Sequence, residues 1–341
     1  LPWTTLPLII NAPMAGMAGG LLASRVSLSG GLGLIGSLFS MSDLRKELQI
    51  ALDAFTSNTL SHPSFSSEDT SKLLPLGIGF LPFVIKLEKV LPVIQDFRPA
   101  VVWLFAATSL DDYKIWAQGI RDVSPETRIW VQCGSVASAL HIAETAQPDV
   151  LCLQGADAGG HGFEKGAGII SLVPETRDAL SKAGFGDVGV VASGGIVDGR
   201  GAAAALALGA QGVVMGTRFL AARETTVHEQ YQRAVLEAVD GGQVTTRSKV
   251  FDNLKGPSIW PEVYDGRSLV VKSYRDYVEG MDIEEVRRLH NEATKGADSG
   301  FATGNEGRAA IWAGTGVGMV AKVEGAKEIV EGTRKEVIQI L

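Results

Sequence analysis

Eight short, apolar, β-rich runs recur between residues 8 and 216, with stretches of helical spacing between them. They are Leu8–Ala12, Leu32–Ser37, Leu76–Phe80, Val101–Ala106, Arg128–Cys133, Val150–Gln154, Val188–Ala192 and Gly212–Gly216. Most are apolar on both faces, the pattern of parallel strands covered by helices. Strand–helix alternation repeated eight times predicts an α/β fold, a (β/α)8 barrel of the TIM type. An open doubly wound sheet is the alternative. The length of 341 residues suits one barrel of about 250 residues plus an insertion.

The helical stretches carry end signals. Ser42 can cap the run through Leu48, and Asp198 can cap the Ala-rich Gly201–Leu208, which Gly209 closes. The pattern changes after Leu220. Glu224–Val239 and Asp282–Thr294 read as helices, Gly241–Lys272 is polar with aromatics, and a Gly-rich segment spans Gly296–Gly318. A last helix is expected over Ala326–Ile340. Residues 223–294 thus read as a small helical cap inserted after strand eight. Residues 1–222 and 295–341 read as the barrel. The Ser- and Thr-rich stretch Thr56–Ser71 reads as a loop.

Composition narrows the function. Hydrophobic residues make up 45% of the chain and charged residues 20%, enough for a large core. The net charge is −7 and no long basic run exists, so nucleic acid is not an expected partner. No apolar run reaches the length of about 18 residues that a membrane span needs. Two cysteines, Cys133 and Cys152, cannot form a disulfide framework and read as inert core thiols. They suit a reducing compartment, so a soluble cytoplasmic location is expected, and a homodimer is compatible with the sequence.

Several motifs bear on chemistry. Gly31–Gly36 matches GxGxxG but lies inside a strand-like run rather than opening a helix, so it reads as a glycine-rich strand. Ala192–Ile196 ends strand seven and Met215–Phe219 ends strand eight. Loops after these two strands often form a phosphate site in barrels, and glycines let backbone N–H groups approach the oxygens. Gln154–Gly162 follows strand six and holds His161, a candidate general base or a residue bonding a loop carbonyl. His62, His141, His228 and His290 read as surface or packing residues, and no Cys/His cluster has zinc spacing. Asp157 reads as a turn or cap residue before an acid or metal ligand. Asn11–Gly16 ends strand one in Pro and small residues, a flat edge on which an aromatic ring could lie. Trp260, Tyr264, Tyr274 and Tyr277 line or pack the cap.

Taken together, the segments at 11–16, 154–162, 192–220 and 312–318 (WAGTGVG) resemble the nitronate monooxygenase family, formerly the 2-nitropropane dioxygenases. The resemblance implies an FMN-binding barrel that oxidises alkyl nitronates, and neutral nitroalkanes in some members, with O2 to a carbonyl compound and nitrite. Propionate 3-nitronate is a natural substrate that the family suggests. By the same match His161 is the catalytic histidine. Ala12, Pro13 and Met14 would lie along the isoalloxazine ring, with Gly79, Gln132, Gln154, Gly159 and Gly160 beside it. Ser193, Gly194, Gly195, Met215, Gly216 and Thr217 would hold the phosphate end. Asp157 stands where many relatives carry Glu, and Gln132 where some carry Lys, which bears on subclass and substrate. The competing reading is an FMN- and NAD(P)H-dependent enoyl or quinone reductase on the same barrel. A non-catalytic barrel that binds a phosphate ligand is the third.

Overall fold

The structure is a computed structural model that describes residues 1–36, 40–58, 73–302 and 306–341. Eight parallel strands form one sheet: β1 (Leu8–Asn11), β2 (Leu34–Gly36), β3 (Leu74–Phe80), β4 (Pro99–Leu104), β5 (Arg128–Cys133), β6 (Val150–Gln154), β8 (Gly189–Ser193) and β9 (Gly212–Met215). A second, antiparallel sheet of three strands contains β7 (Gly160–Phe163), β10 (Thr245–Ser248) and β11 (Tyr264–Leu269). The large sheet runs in the order β1-β9-β8-β6-β5-β4-β3-β2. All eight expected strands are present. The second starts later than expected, and its expected end, Ser37, lies outside the described residues. So does most of the Thr56–Ser71 stretch, with His62.

The sheet closes into a barrel at the seam between β1 and β2. Two backbone bridges span it, Ile10 to Leu32 and, just past the end of β1, Ala15 to Gly36. The buried Asn11 side chain adds two hydrogen bonds: its Nδ2 donates to the Leu34 carbonyl at 2.8 Å, and its Oδ1 accepts from the Leu34 N–H at 2.9 Å. A carboxamide is suited to this, because it offers a donor and an acceptor side by side. The glycine-rich run beside the seam serves packing. A Cβ on Gly33 would stand 1.8 Å from the Ala23 carbonyl oxygen, so the helix Gly20–Leu28 approaches the strand through that glycine.

Helices cover the barrel and begin where caps permit. Asp198 caps Gly199–Ala207 through the N–H groups of Arg200 and Gly201, as its sequence predicts. The helix expected after a Ser42 cap starts two residues earlier, at Met41, because Ser40 is the cap and accepts the Asp43 N–H. The helix Ala326–Ile340 fills the last gap in the ring. Arg334 donates to the carbonyls of Ser29 and Gly30, beyond the end of one neighbouring helix. Glu336 accepts the Gly199 N–H at 2.7 Å, at the start of the other. Each charge faces the helix end whose dipole it complements.

Between β9 and this final helix the chain builds the region over the barrel mouth. It holds helices at Glu229–Glu237, Lys272–Val278 and Ile283–Ala293, shorter turns, and the strand pair β10–β11. The polar stretch 241–272 therefore contains strands where the sequence offers little alternation. β11 pairs on its other edge with β7, in register Gly266 to His161. The inserted region is pinched at its base by the Ala222–Glu324 bridge.

Burial pushes the Cys133 thiol up to about 12, and Cys152 is raised for the same reason. Both are buried and free, in keeping with inert core thiols. At the seam, Asn11→Ala leaves the Leu34 N–H and carbonyl without their side-chain partners. Urea denaturation is expected to register a loss of about 3 kcal/mol, the cost of stranding two buried polar groups.

Candidate active site

A cavity of about 340 Å³ opens at the carboxyl end of the barrel strands. This is the face on which barrel enzymes place their chemistry. Its wall includes Ala12, Pro13 and Met14 after β1, Gly79 in β3, Gln132 in β5 and Gln154 at the end of β6. Gly159, Gly160 and His161 come next, then Ser193, Gly194 and Gly195 after β8, and Gly216 and Thr217 after β9. These are residues that sequence reasoning singled out, and the fold brings them to one wall. Met215 is the exception. It is fully buried behind that wall, and its carbonyl accepts the Ala12 N–H at 3.0 Å.

The loop after β6 is shaped by close backbone approaches. A Cβ on Gly159 would lie 2.4 Å from the Ala313 carbonyl carbon and 2.5 Å from the Gly314 nitrogen, so only glycine lets the 312–316 segment cross there. Gly160 has a φ of +71°, which glycine adopts without strain. Thr217 Oγ1 accepts the Gly314 N–H at 3.0 Å, joining that segment to the loop after β9. Asp157 acts in the same joint: its carboxylate accepts from the Thr315 hydroxyl and its carbonyl from the Thr315 N–H. That is the turn-residue role, and no cluster of metal-ligating side chains exists among the described residues.

His161 is the one titratable side chain among the described residues on the wall. Its ring stacks on Trp260 at 3.6 Å between centroids and 7° between planes, and Trp312 lies at 4.8 Å. Its Nε2 is 2.5 Å from Asp252 Oδ1. Asp252 and Trp312 escaped sequence reasoning as partners of the histidine, and Trp260 was placed only as a cap aromatic. Asp252 is 91 residues from His161, and the β7–β11 pairing and the Lys249–Glu164 ion pair bring its part of the chain near. Tyr264 packs edge-on to Phe163 and Phe105. Burial raises its phenol to about 12, so it stays protonated near neutrality and is no base.

Two glutamines set the polarity of the wall. Gln132 accepts from Trp103 Nε1 at 3.2 Å. Gln154 donates to the His161 carbonyl at 3.0 Å, while its Oε1 is buried with no partner. No Lys or Arg is on the wall among the described residues. Arg218, beside Thr217, pairs with Glu324 instead. The electrostatic features of the cavity are therefore backbone groups, two carboxamides, two hydroxyls and one imidazole.

A barrel whose glycine-rich loops meet an imidazole under aromatic side chains defines a small-molecule enzyme. Comparison with known proteins gives its family. The family model described as nitronate monooxygenase matches residues 126–334. The chain is 43% identical to nitronate monooxygenase npaC of Metarhizium robertsii, covering 100% of this chain and 94% of that protein. It is 36% identical to a nitronate monooxygenase of Neurospora crassa, over 98% and 90% of the two chains. The chain belongs to the nitronate monooxygenase family and is a flavin-dependent oxidoreductase.

Solved structures agree on the fold. FabK from Thermotoga maritima superposes with a TM-score of 0.73 at 24% identity, over 97% of this chain and 93% of its own. Nitroalkane oxidase from Streptomyces ansochromogenes gives 0.71 at 23%, over 98% and 96%. At that identity these likenesses speak for the barrel and not for one chemistry. No helix among the described residues is long and apolar enough to cross a membrane.

The wall glycines differ in what they permit. Gly159→Val must displace the backbone at 313–314 and is expected to lower the thermal midpoint by several degrees, the effect of about 2–3 kcal/mol of overpacking. A Cβ at Gly216 meets only Ala12 at 3.6 Å and Met14 at 3.9 Å, ordinary contacts with other wall residues. Gly216→Ala is expected to leave the midpoint within about one degree, within the usual range for an unstrained substitution. Calorimetry of both variants checks the contrast.

Proposed function

We propose that the protein binds FMN in this cavity and oxidises alkyl nitronates with O2 to a carbonyl compound and nitrite. The observation that carries the reading is His161: a single imidazole on a wall otherwise free of titratable side chains among the described residues. The wall suits a flavin on two further counts. Gln154 Oε1 is a buried acceptor without a partner, which an imide N–H of the ring would satisfy. Gly216 has no side chain on the wall beside Ala12 and Met14, so its backbone is accessible from the cavity.

Ala12, Pro13 and Met14 would flank the ring system, with Gly79, Gln132, Gln154, Gly159 and Gly160 around it. Ser193, Gly194, Gly195, Gly216 and Thr217 would hold the phosphate through N–H groups and hydroxyls, with Met215 supporting them from behind. Bound FMN supplies the transfer of electrons from substrate to O2.

The chain's own residues bind, orient and deprotonate. A nitronate arrives as an anion already short of its α-proton, so it asks no proton transfer of His161, and the N–H groups and hydroxyls of the wall orient it. A neutral nitroalkane must first lose its α-proton, and His161 is the group on the wall placed to take it. Trp260 and Trp312 cover part of the imidazole.

Oxygen consumption by the flavin-loaded protein with an alkyl nitronate and no NAD(P)H tests the proposal. Uptake with matching nitrite release is expected. Absence of uptake, together with rapid bleaching of the flavin by anaerobic NADH, would favour a reductase instead. His161→Asn is expected to lower kcat/KM for neutral nitroalkanes by about 100-fold or more, the usual contribution of a general base, and that for nitronates far less.

A further inference from the structure

His161 is held on two sides by parts of the inserted region. Trp260 lies flat on its ring, and Asp252 meets its Nε2 edge at 2.5 Å. The Asp252 side chain is only 4% exposed, and its Oδ2 is buried with no hydrogen-bond partner. Among the described residues His161 is the only side chain bonded to that carboxylate. Asp252 itself sits on a fixed turn, Val250–Asn253. Phe251 is buried there, stacked on Tyr274 at 5.6 Å and edge-on to Trp312 at 5.9 Å. Arg287 Nε donates to the Asn253 carbonyl at 2.7 Å, and Asn253 Nδ2 donates to the Lys249 carbonyl at 2.9 Å. His161 Nδ1 has no partner among the described residues.

We infer that Asp252 is a positioning residue that fixes His161 as the Nε2–H tautomer, so that Nδ1 is the atom that removes the α-proton of a neutral nitroalkane. The inference rests on the proposed role of His161. A carboxylate only accepts hydrogen bonds, so a neutral imidazole can meet it only through a protonated nitrogen. With the proton on Nε2, the lone pair stands on Nδ1. When the substrate C–H bond breaks, its electron pair stays on carbon and delocalises into the nitro group, giving the nitronate. The proton forms an Nδ1–H bond. The positive charge that appears on the ring then faces the Asp252 carboxylate, which stabilises it without taking the proton. A substrate supplied as nitronate skips this step, so Asp252 separates the two substrate classes.

The first test needs no variant. Flavin-loaded protein labelled with 15N-histidine is examined by NMR near pH 8, with His161 assigned from the spectrum of His161→Asn. A protonated Nε2 and a bare Nδ1 are expected. An Nδ1–H tautomer, or a ring doubly protonated from about pH 6 to about pH 9, would overturn the inference. Asp252→Asn is the second test, because a carboxamide of the same size both donates and accepts and no longer imposes the tautomer. Its His161 signals are expected to move toward the Nδ1–H form, and unchanged signals would count against the inference. The kcat/KM for nitroethane relative to ethyl nitronate is expected to fall by about 100-fold at unchanged flavin content, with partial recovery in Asp252→Glu. Equal losses for both substrates would assign Asp252 a purely structural role. Failure of the wild-type protein to oxidise nitronates would remove the proposed function and leave the tautomer result standing.

Discussion

The pairing of β7 with β11 is the contact on which the rest of the site depends. β7 is four residues of a barrel loop, too short to be a stable strand alone. It becomes one by joining the edge of the inserted region's small sheet, in a register that sets His161 opposite Gly266. A Cβ on Gly266 would lie 2.4 Å from the Trp312 ring, so the missing side chain is what lets that ring reach the histidine. A slip of one residue would turn His161 to the other face of the sheet and away from Asp252 and Trp260. The histidine thus belongs to the barrel by sequence and to the inserted region by hydrogen bonding.

Much of the barrel was legible because its signals are local. Eight apolar runs, the Asp198 cap and the glycines after strands six, seven and eight each act within a few residues. The helix Ala326–Ile340 was legible for the same reason. The strands β7, β10 and β11 were not. Gly-His-Gly-Phe and Thr-Thr-Arg-Ser carry no apolar alternation, and they are strands because of what they pair with. Asp252 was hidden in the same way, since a single Asp in a four-residue helical turn looks like any surface carboxylate until the fold buries it against a ring.

The electrostatics of the site are local in a chain whose net charge is −7. No lysine or arginine among the described residues lines the cavity, so attraction for an anion must come from N–H groups and hydroxyls. Such groups are fixed in direction and need no reorganisation when a ligand arrives. The neighbouring arginines are committed elsewhere: Arg218 to Glu324, Arg247 to Asp265, and Arg267 to the Ala156 carbonyl. They brace the loops around the cavity and leave its interior to the imidazole.

The helix Ala326–Ile340 has a consequence for how the molecule is made. It bridges the first helix of the ring and the helix after β8, with Arg334 reaching one and Glu336 the other. Synthesis runs from the amino end, so this wedge leaves the ribosome after everything it must hold together. Until then the helices on either side of the seam lack their shared neighbour, and the growing barrel has an uncovered apolar flank. A nascent chain of this design has a window in which its nearly complete ring is open to chaperones, and to other chains in the same state.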